Sequence, residues 1–164
     1  MDRNEIPLNI YLDLSKAFDS LDHNILLEKF KHYGIQNKSL ELLRSYLTNR
    51  YQYVNFDSKE SNLLPIKIGV PQGSILGPLL FIIYINDMVY ASELFKPIIY
   101  ADDTTLLTSI RTAKAIDKYK TESENINIEL SKVTTWLQLN KLSLNCEKTK
   151  AMIFHTSQRK SIIS

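Results

Sequence analysis

Three acids stand beside apolar residues, and they are the first candidates for chemistry. Asp13 closes the run Ile10-Tyr11-Leu12, and Asp102-Asp103 follow Ile98-Ile99-Tyr100. A carboxylate among such neighbours is costly to bury unless a cation or a hydrogen-bond network compensates it. Two adjacent acids between short strands, with a third at the end of another strand, suggest a shared divalent-cation site. Oxygen donors with no His or Cys beside them favour Mg²⁺ or Mn²⁺ over zinc. Two such ions can activate an attacking hydroxyl and stabilise a leaving pyrophosphate. The plainer alternative makes Asp102-Asp103 an ordinary turn and Asp13 a strand-end cap.

Elements must hold these acids in place, and the sequence patterning predicts them. Leu8 to Leu14 reads as a strand with Ile10, Leu12 and Leu14 on one face. Asp22 is placed to cap a helix carrying Leu26, Phe30 and Tyr33, with Gly34 at its end. A second helix follows Asn37, with Leu40, Leu43 and Leu47 on one stripe. Tyr51 to Phe56 and Leu63 to Ile68 read as two strands joined by the polar turn Asp57-Ser58-Lys59-Glu60. The Gly/Pro loop Gly69 to Gly73 opens into an apolar helix, Ile75 to Val89, with Pro78 in its first turn. Ile98 to Tyr100 and Thr105 to Thr108 are short strands flanking Ala101-Asp102-Asp103. A long helix is expected from about Thr112 to Leu139, with Ile126, Leu130, Val133 and Leu137 inward. Leu142 to Leu144 and Ala151 to His155 close the chain as short strands. The whole is read as one α+β domain over residues 1–157, with 158–164 a frayed tail.

Composition narrows the function classes. The 164 residues suffice for one core, with 44% apolar and 23% charged residues near the averages for a soluble globular protein. A net charge of +2 gives no strong electrostatic bias toward nucleic acid by itself. The single cysteine, Cys146, excludes an internal disulfide and a multi-cysteine metal site, and is expected to be at least half-buried. His23, His32 and His155 lack any metal-ligand spacing. The charge-free stretch Ser74 to Asn86 is too short to span a membrane, and the polar opening Met1-Asp2-Arg3-Asn4-Glu5 is no signal peptide.

Four ordered segments carry a family resemblance along nearly the whole chain. Leu12-Asp13-Leu14-Ser15-Lys16-Ala17-Phe18-Asp19 resembles motif A of reverse transcriptases, and Gly69-Val70-Pro71-Gln72-Gly73-Ser74-Ile75-Leu76-Gly77-Pro78-Leu79-Leu80-Phe81 resembles motif B. Tyr100-Ala101-Asp102-Asp103 is similar to motif C. Trp136 through Asn140, Leu142 to Asn145 and Glu147-Lys148-Thr149-Lys150 look like motif D and the strand beyond it. The wording is closest to the non-LTR, jockey-like elements of animals.

The resemblance implies a polymerase palm, a small antiparallel sheet with helices packed on one face, with fingers and thumb largely missing. It implies RNA-templated addition of dNTPs to a primer 3′-OH, with two Mg²⁺ ions (Mn²⁺ a substitute) held by Asp13 and Asp102, and Asp103 a less direct third ligand. Phe18 falls at the steric gate that excludes a 2′-OH. Gln72 and Gly73 would meet the incoming nucleotide, and Tyr100 would stand beside the primer terminus or plug the sheet. Lys148, with Lys150 as rival, would neutralise or protonate the departing pyrophosphate. Trp136 is read as core. The implied partners are an RNA template, a DNA primer, dNTPs and the remaining domains of a longer polyprotein, with no membrane. The implied setting is intracellular, in nucleus and cytoplasm. The alternative is a non-catalytic remnant with at most weak nucleic-acid binding.

Overall fold

The computed structural model describes residues 5–71, 73–111 and 116–154. Gln72, His155, the start of the long helix at Thr112 and the tail 158–164 lie outside the described residues. The described residues divide into two compact units. One comprises the described residues of Met1–Ser15, Asp87–Leu139 and Ser143–Ser164, the other Lys16–Asn86 and Asn140–Leu142.

The first unit is built on a four-stranded antiparallel sheet of order β6-β7-β1-β8. Its strands are β1 (Glu5–Asp13), β6 (Lys96–Tyr100), β7 (Asp103–Arg111) and β8 (Lys150–Ile153). Strict alternation along β1 gives the sheet one closed and one open face. Ile6, Leu8, Ile10 and Leu12 are buried, while Glu5, Pro7 and Tyr11 are exposed. Slipping the register by one residue would expose the whole apolar set, so burial of that face fixes the pairing. Helix α4 (Ile116–Leu139) carries the expected stripe: Val133 and Leu137 are buried, Ile126 and Leu130 half-buried.

Leu142 to Leu144 form no regular strand; Leu144 makes an isolated bridge to Leu14, just past the end of β1, beside a 2.8 Å hydrogen bond from Ser15 N–H to the Ser143 carbonyl. Lys141, at φ +55, turns the chain just upstream. β8 begins at Lys150, one residue earlier than expected.

In the second unit, Asp22 caps α1 (His23–His32) as its position predicts. Its Oδ1 accepts from the N–H groups of Asn24 and Ile25 at 2.9 and 3.1 Å. α2 (Asn37–Leu47) buries only Leu47. α3 begins at Leu76, so Pro78 occupies its first turn, where an intrahelical N–H is not needed. It runs to Ile85 and gives way to a 3-10 segment, Asn86–Tyr90, rather than continuing to Val89. Tyr84 on α3 is fully buried, donates its hydroxyl to the Asn140 carbonyl at 2.7 Å, and accepts Lys29 Nζ on its own carbonyl at 2.6 Å.

The two strands expected between Tyr51 and Ile68 are replaced by four very short ones. β2 (Tyr51–Gln52) pairs with β5 (Leu64–Pro65), and β3 (Asn55–Phe56) with β4 (Lys59–Glu60) around an Asp57-Ser58 turn. No described helix is long and apolar enough to cross a membrane.

Candidate active site

The open face of the sheet ends in a rung of chemical groups. Asp13 on β1 lies opposite Asp103 on β7, and Asp103 lies opposite Tyr100 on β6. Cross-strand partners project on the same face, so the register alone brings Asp13, Asp103 and Tyr100 to one end of it. Tyr100 is 81% exposed, so it does not plug the sheet. Asp102 sits in the two-residue turn between β6 and β7, after Ala101, which adopts a left-handed φ of +52. A side chain in that conformation is strained, and strain of this kind concentrates at functional hairpins.

The backbone gathers Asp13 and Asp103, but the three carboxylates do not form a closed cage. Among the described residues no group of three or more His, Cys, Asp or Glu side chains could hold one ion. The register partner of Asp13 is Asp103, not Asp102. The donor chemistry still fits a hard divalent cation. Mg²⁺ is commonly held by one or two carboxylates, with substrate phosphates and water completing its shell. A facing pair of aspartates suits that mode.

The segment expected to carry the lysine abuts the same rung. The N–H of Asn145 donates to the Asp13 carbonyl at 2.8 Å, and the N–H of Asp13 donates to Thr149 Oγ1 at 3.4 Å. Lys148 is exposed in the turn between them. Its rival Lys150 has Nζ at 2.6 Å from the Glu147 carbonyl and stands opposite Tyr11. Cys146 is exposed, contrary to expectation, because it lies in this projecting turn. Trp136 is half-buried on α4. Asn145 and Thr149 were not singled out from sequence; the only signal was an Asn and a Thr bracketing a short polar stretch, which is turn chemistry.

In the second unit the end of motif A is laced to the start of motif B. Phe18 lies in a 3-10 turn, Ala17–Asp19, and its ring is 5.0 Å from that of Phe81 on α3. The Val70 N–H donates to the Phe18 carbonyl at 2.9 Å, and the Gly69 N–H to the Leu21 carbonyl at 2.7 Å. His23 Nε2–H donates to the Gly69 carbonyl at 2.7 Å. Gly69 has φ +81, and a Cβ there would stand 2.8 Å from the Asp19 carbonyl oxygen. Gly73 also has positive φ, but a Cβ would meet nothing within 4 Å, which leaves the space beside it open. An adjoining cavity of about 580 Å³ is lined by Lys16, Arg50, Lys67 and Asp19 among others.

Two acids have shifted pKa values, and both serve the fold. Burial alone would raise Asp22, but the Lys141 ammonium at 2.6 Å and the two capping N–H groups hold it below the usual carboxylate range. Glu129 on α4 is lowered to about 2 by hydrogen bonds from Lys132 and Ser92, against its burial, with help from the Glu93 N–H.

An α+β fold on an antiparallel sheet, with acids facing one another across its two central strands, has the form of a polymerase palm. The reverse transcriptase (RNA-dependent DNA polymerase) family matches residues 4–162, and the chain belongs to that family. It is 32% identical over 146 residues to the RNA-directed DNA polymerase from mobile element jockey of Drosophila melanogaster, covering 80% of this chain and 16% of that protein. It is 27% identical over 155 residues to the Retrovirus-related Pol polyprotein from type-1 retrotransposable element R2 of Popillia japonica, covering 93% of this chain and 25% of the polyprotein. The kinship with non-LTR elements expected from the motifs is therefore found. Telomerase from Candida tropicalis, solved in complex with a TWJ fragment of telomeric RNA, shares the fold with a TM-score of 0.68 at 19% identity, over 93% of this chain and 26% of the telomerase. The chain thus spans a quarter or less of the two relatives' length.

Proposed function

We propose that this chain is the palm of an RNA-directed DNA polymerase, working within a longer retrotransposon polyprotein. The observation that carries the reading is the facing pair Asp13 and Asp103 in a chain matched by the family almost throughout. The reaction joins a primer 3′-OH to the α-phosphate of a dNTP, guided by an RNA template, and releases pyrophosphate. Phosphoryl transfer asks the protein mainly for positioning and charge compensation.

Asp13 and Asp103, with Asp102 in the adjoining turn, hold divalent cations, Mg²⁺ with Mn²⁺ as substitute. Bound there, such ions would supply activation of the primer hydroxyl and compensation of charge on the leaving pyrophosphate. Tyr100 offers an exposed aromatic face beside Asp103 for the primer terminus. Phe18 closes the space a ribose 2′-OH would need, with its ring backed by Phe81. Gln72 and Gly73 contact the incoming nucleotide. Lys148 delivers a proton to the pyrophosphate; Lys150 is the weaker candidate because its ammonium is engaged by the Glu147 carbonyl. The cavity lined by Lys16, Arg50 and Lys67 supports contact with nucleic-acid phosphates. The setting is intracellular, in nucleus and cytoplasm, where such an element meets chromatin.

The test is primer extension on an RNA template with dNTPs and Mg²⁺, using the full reading frame beside these 164 residues. The full frame extends, and Asp13→Asn or Asp102→Asn lowers the rate by roughly 10²–10³-fold. Phe18→Val admits ribonucleotides. The 164-residue chain alone extends poorly. A full frame that extends equally well with both acids neutralised would overturn the reading.

A further inference from the structure

We propose that the turn from Asn145 to Thr149 is a clamp that fixes Asp13, with Thr149 as a positioning residue. The inference rests on the reading above, in which Asp13 is a cation ligand. Between the bridge Leu14–Leu144 and the pair Tyr11–Lys150, β1 has two residues, Leu12 and Asp13, while its neighbour has five, 145–149. Three extra residues therefore bulge from the partner chain beside Asp13. Bulges of this kind re-aim side chains next to active sites.

Both backbone groups of Asp13 point into that bulge. Its carbonyl accepts from Asn145 N–H at 2.8 Å, and its N–H donates to Thr149 Oγ1 at 3.4 Å. The N–H and C=O of one strand residue lie on the same side, so Asp13 and Asp103 form the pair that exchanges no hydrogen bonds between β1 and β7. In that kind of pair the Cα atoms approach to about 4.5 Å and the side chains lie closest. The clamp thus selects the close approach of the two carboxylates.

Thr149 is itself oriented. Its hydroxyl donates to the Asn145 carbonyl at 2.9 Å, and its N–H reaches the same oxygen at 2.9 Å. The hydroxyl proton is thereby engaged, and a lone pair faces the Asp13 N–H. Lys148 is the residue just before Thr149, and its N–H donates to Asn145 Oδ1 at 3.4 Å. One small turn therefore sets the backbone of both Asp13 and Lys148.

The test compares Thr149→Val, Thr149→Ser and Asp13→Asn in the whole chain. Its readouts are hydrogen exchange at the Asp13 amide and Mn²⁺ affinity by electron paramagnetic resonance, with near-ultraviolet circular dichroism to check the fold. Thr149→Val is expected to speed exchange of that amide about tenfold and weaken Mn²⁺ binding about fivefold, as loss of one hydrogen bond implies. Thr149→Ser, which keeps the hydroxyl, restores both to within about twofold. The clamp is overturned if Asp13 exchange and Mn²⁺ affinity are the same with Val as with Thr, or if Ser behaves as Val does. If Thr149→Val does not fold, the Ser comparison decides, since Ser must then reproduce the parent in both readouts. Unchanged Mn²⁺ affinity in Asp13→Asn would instead sink the metal-site reading, and the amide exchange still decides on the clamp.

Discussion

Gly69 shows how much a single residue can constrain. Its φ of +81 is one that side chains rarely adopt, and a Cβ would lie 2.8 Å from the Asp19 carbonyl oxygen and 2.9 Å from the Asp19 Cα. Neither neighbour is a flexible side-chain end, so the backbone itself would have to move. Gly69→Ala is expected to cost roughly 2–4 kcal/mol, from left-handed strain and overpacking together, read as a lower urea midpoint at unchanged slope. Glu129 gives a residue-level pH dependence. Its pKa in the folded chain, about 2, lies below that of an unfolded glutamate, so its contribution is complete above about pH 4.3. It is lost as pH falls toward 2. Melting temperature measured between pH 5 and 2 should fall less steeply for Glu129→Gln than for the parent, although the variant is less stable at pH 7.

At the scale of elements, what was legible followed strong periodicity or a strong cap. The alternation of Ile10, Leu12 and Leu14 marked a strand from Leu8, though β1 starts three residues earlier at Glu5, and the four-three-four spacing of Ile126, Leu130, Val133 and Leu137 marked α4. Asp22 marked the start of α1. The segment from Tyr51 to Ile68 was misread because it is exposed almost throughout, so no burial enforces long strands and turn geometry decides instead. Asp57 and Ser58 both have positive φ, +49 and +61, which makes a two-residue hairpin turn and converts Lys59-Glu60 into strand. Ser58→Gly should therefore raise stability by about 0.5 kcal/mol, as relief of left-handed strain outweighs the added freedom of the unfolded chain. A higher melting temperature with an unchanged circular dichroism spectrum would bear that out. Although Asp102 and Asp103 are exposed and not buried among the apolar runs, the placement of the motif acids at strand ends was legible because those runs stop at them. Thr149 was not, because its role depends on a bulge that no local pattern encodes.

For the molecule as a whole, neither charge nor contiguity in sequence reports the arrangement. A net charge of +2 conceals Lys16, Arg50 and Lys67 around one cavity. Periodicity is a local signal, so it could not reveal that the chain completes one unit with the short return Asn140–Leu142. The facing of Asp13 and Asp103 has a thermodynamic side as well. Like charges directly opposite one another on a sheet repel, by about 0.2–1 kcal/mol, and a bound cation would relieve it. Asp103→Asn in the metal-free chain should thus melt higher than the parent, and added Mn²⁺ should raise the parent's melting temperature more than the variant's. On the reading proposed above, heat resistance and cation binding are set against each other at this rung: the sturdier variant is the one that holds the ion less well.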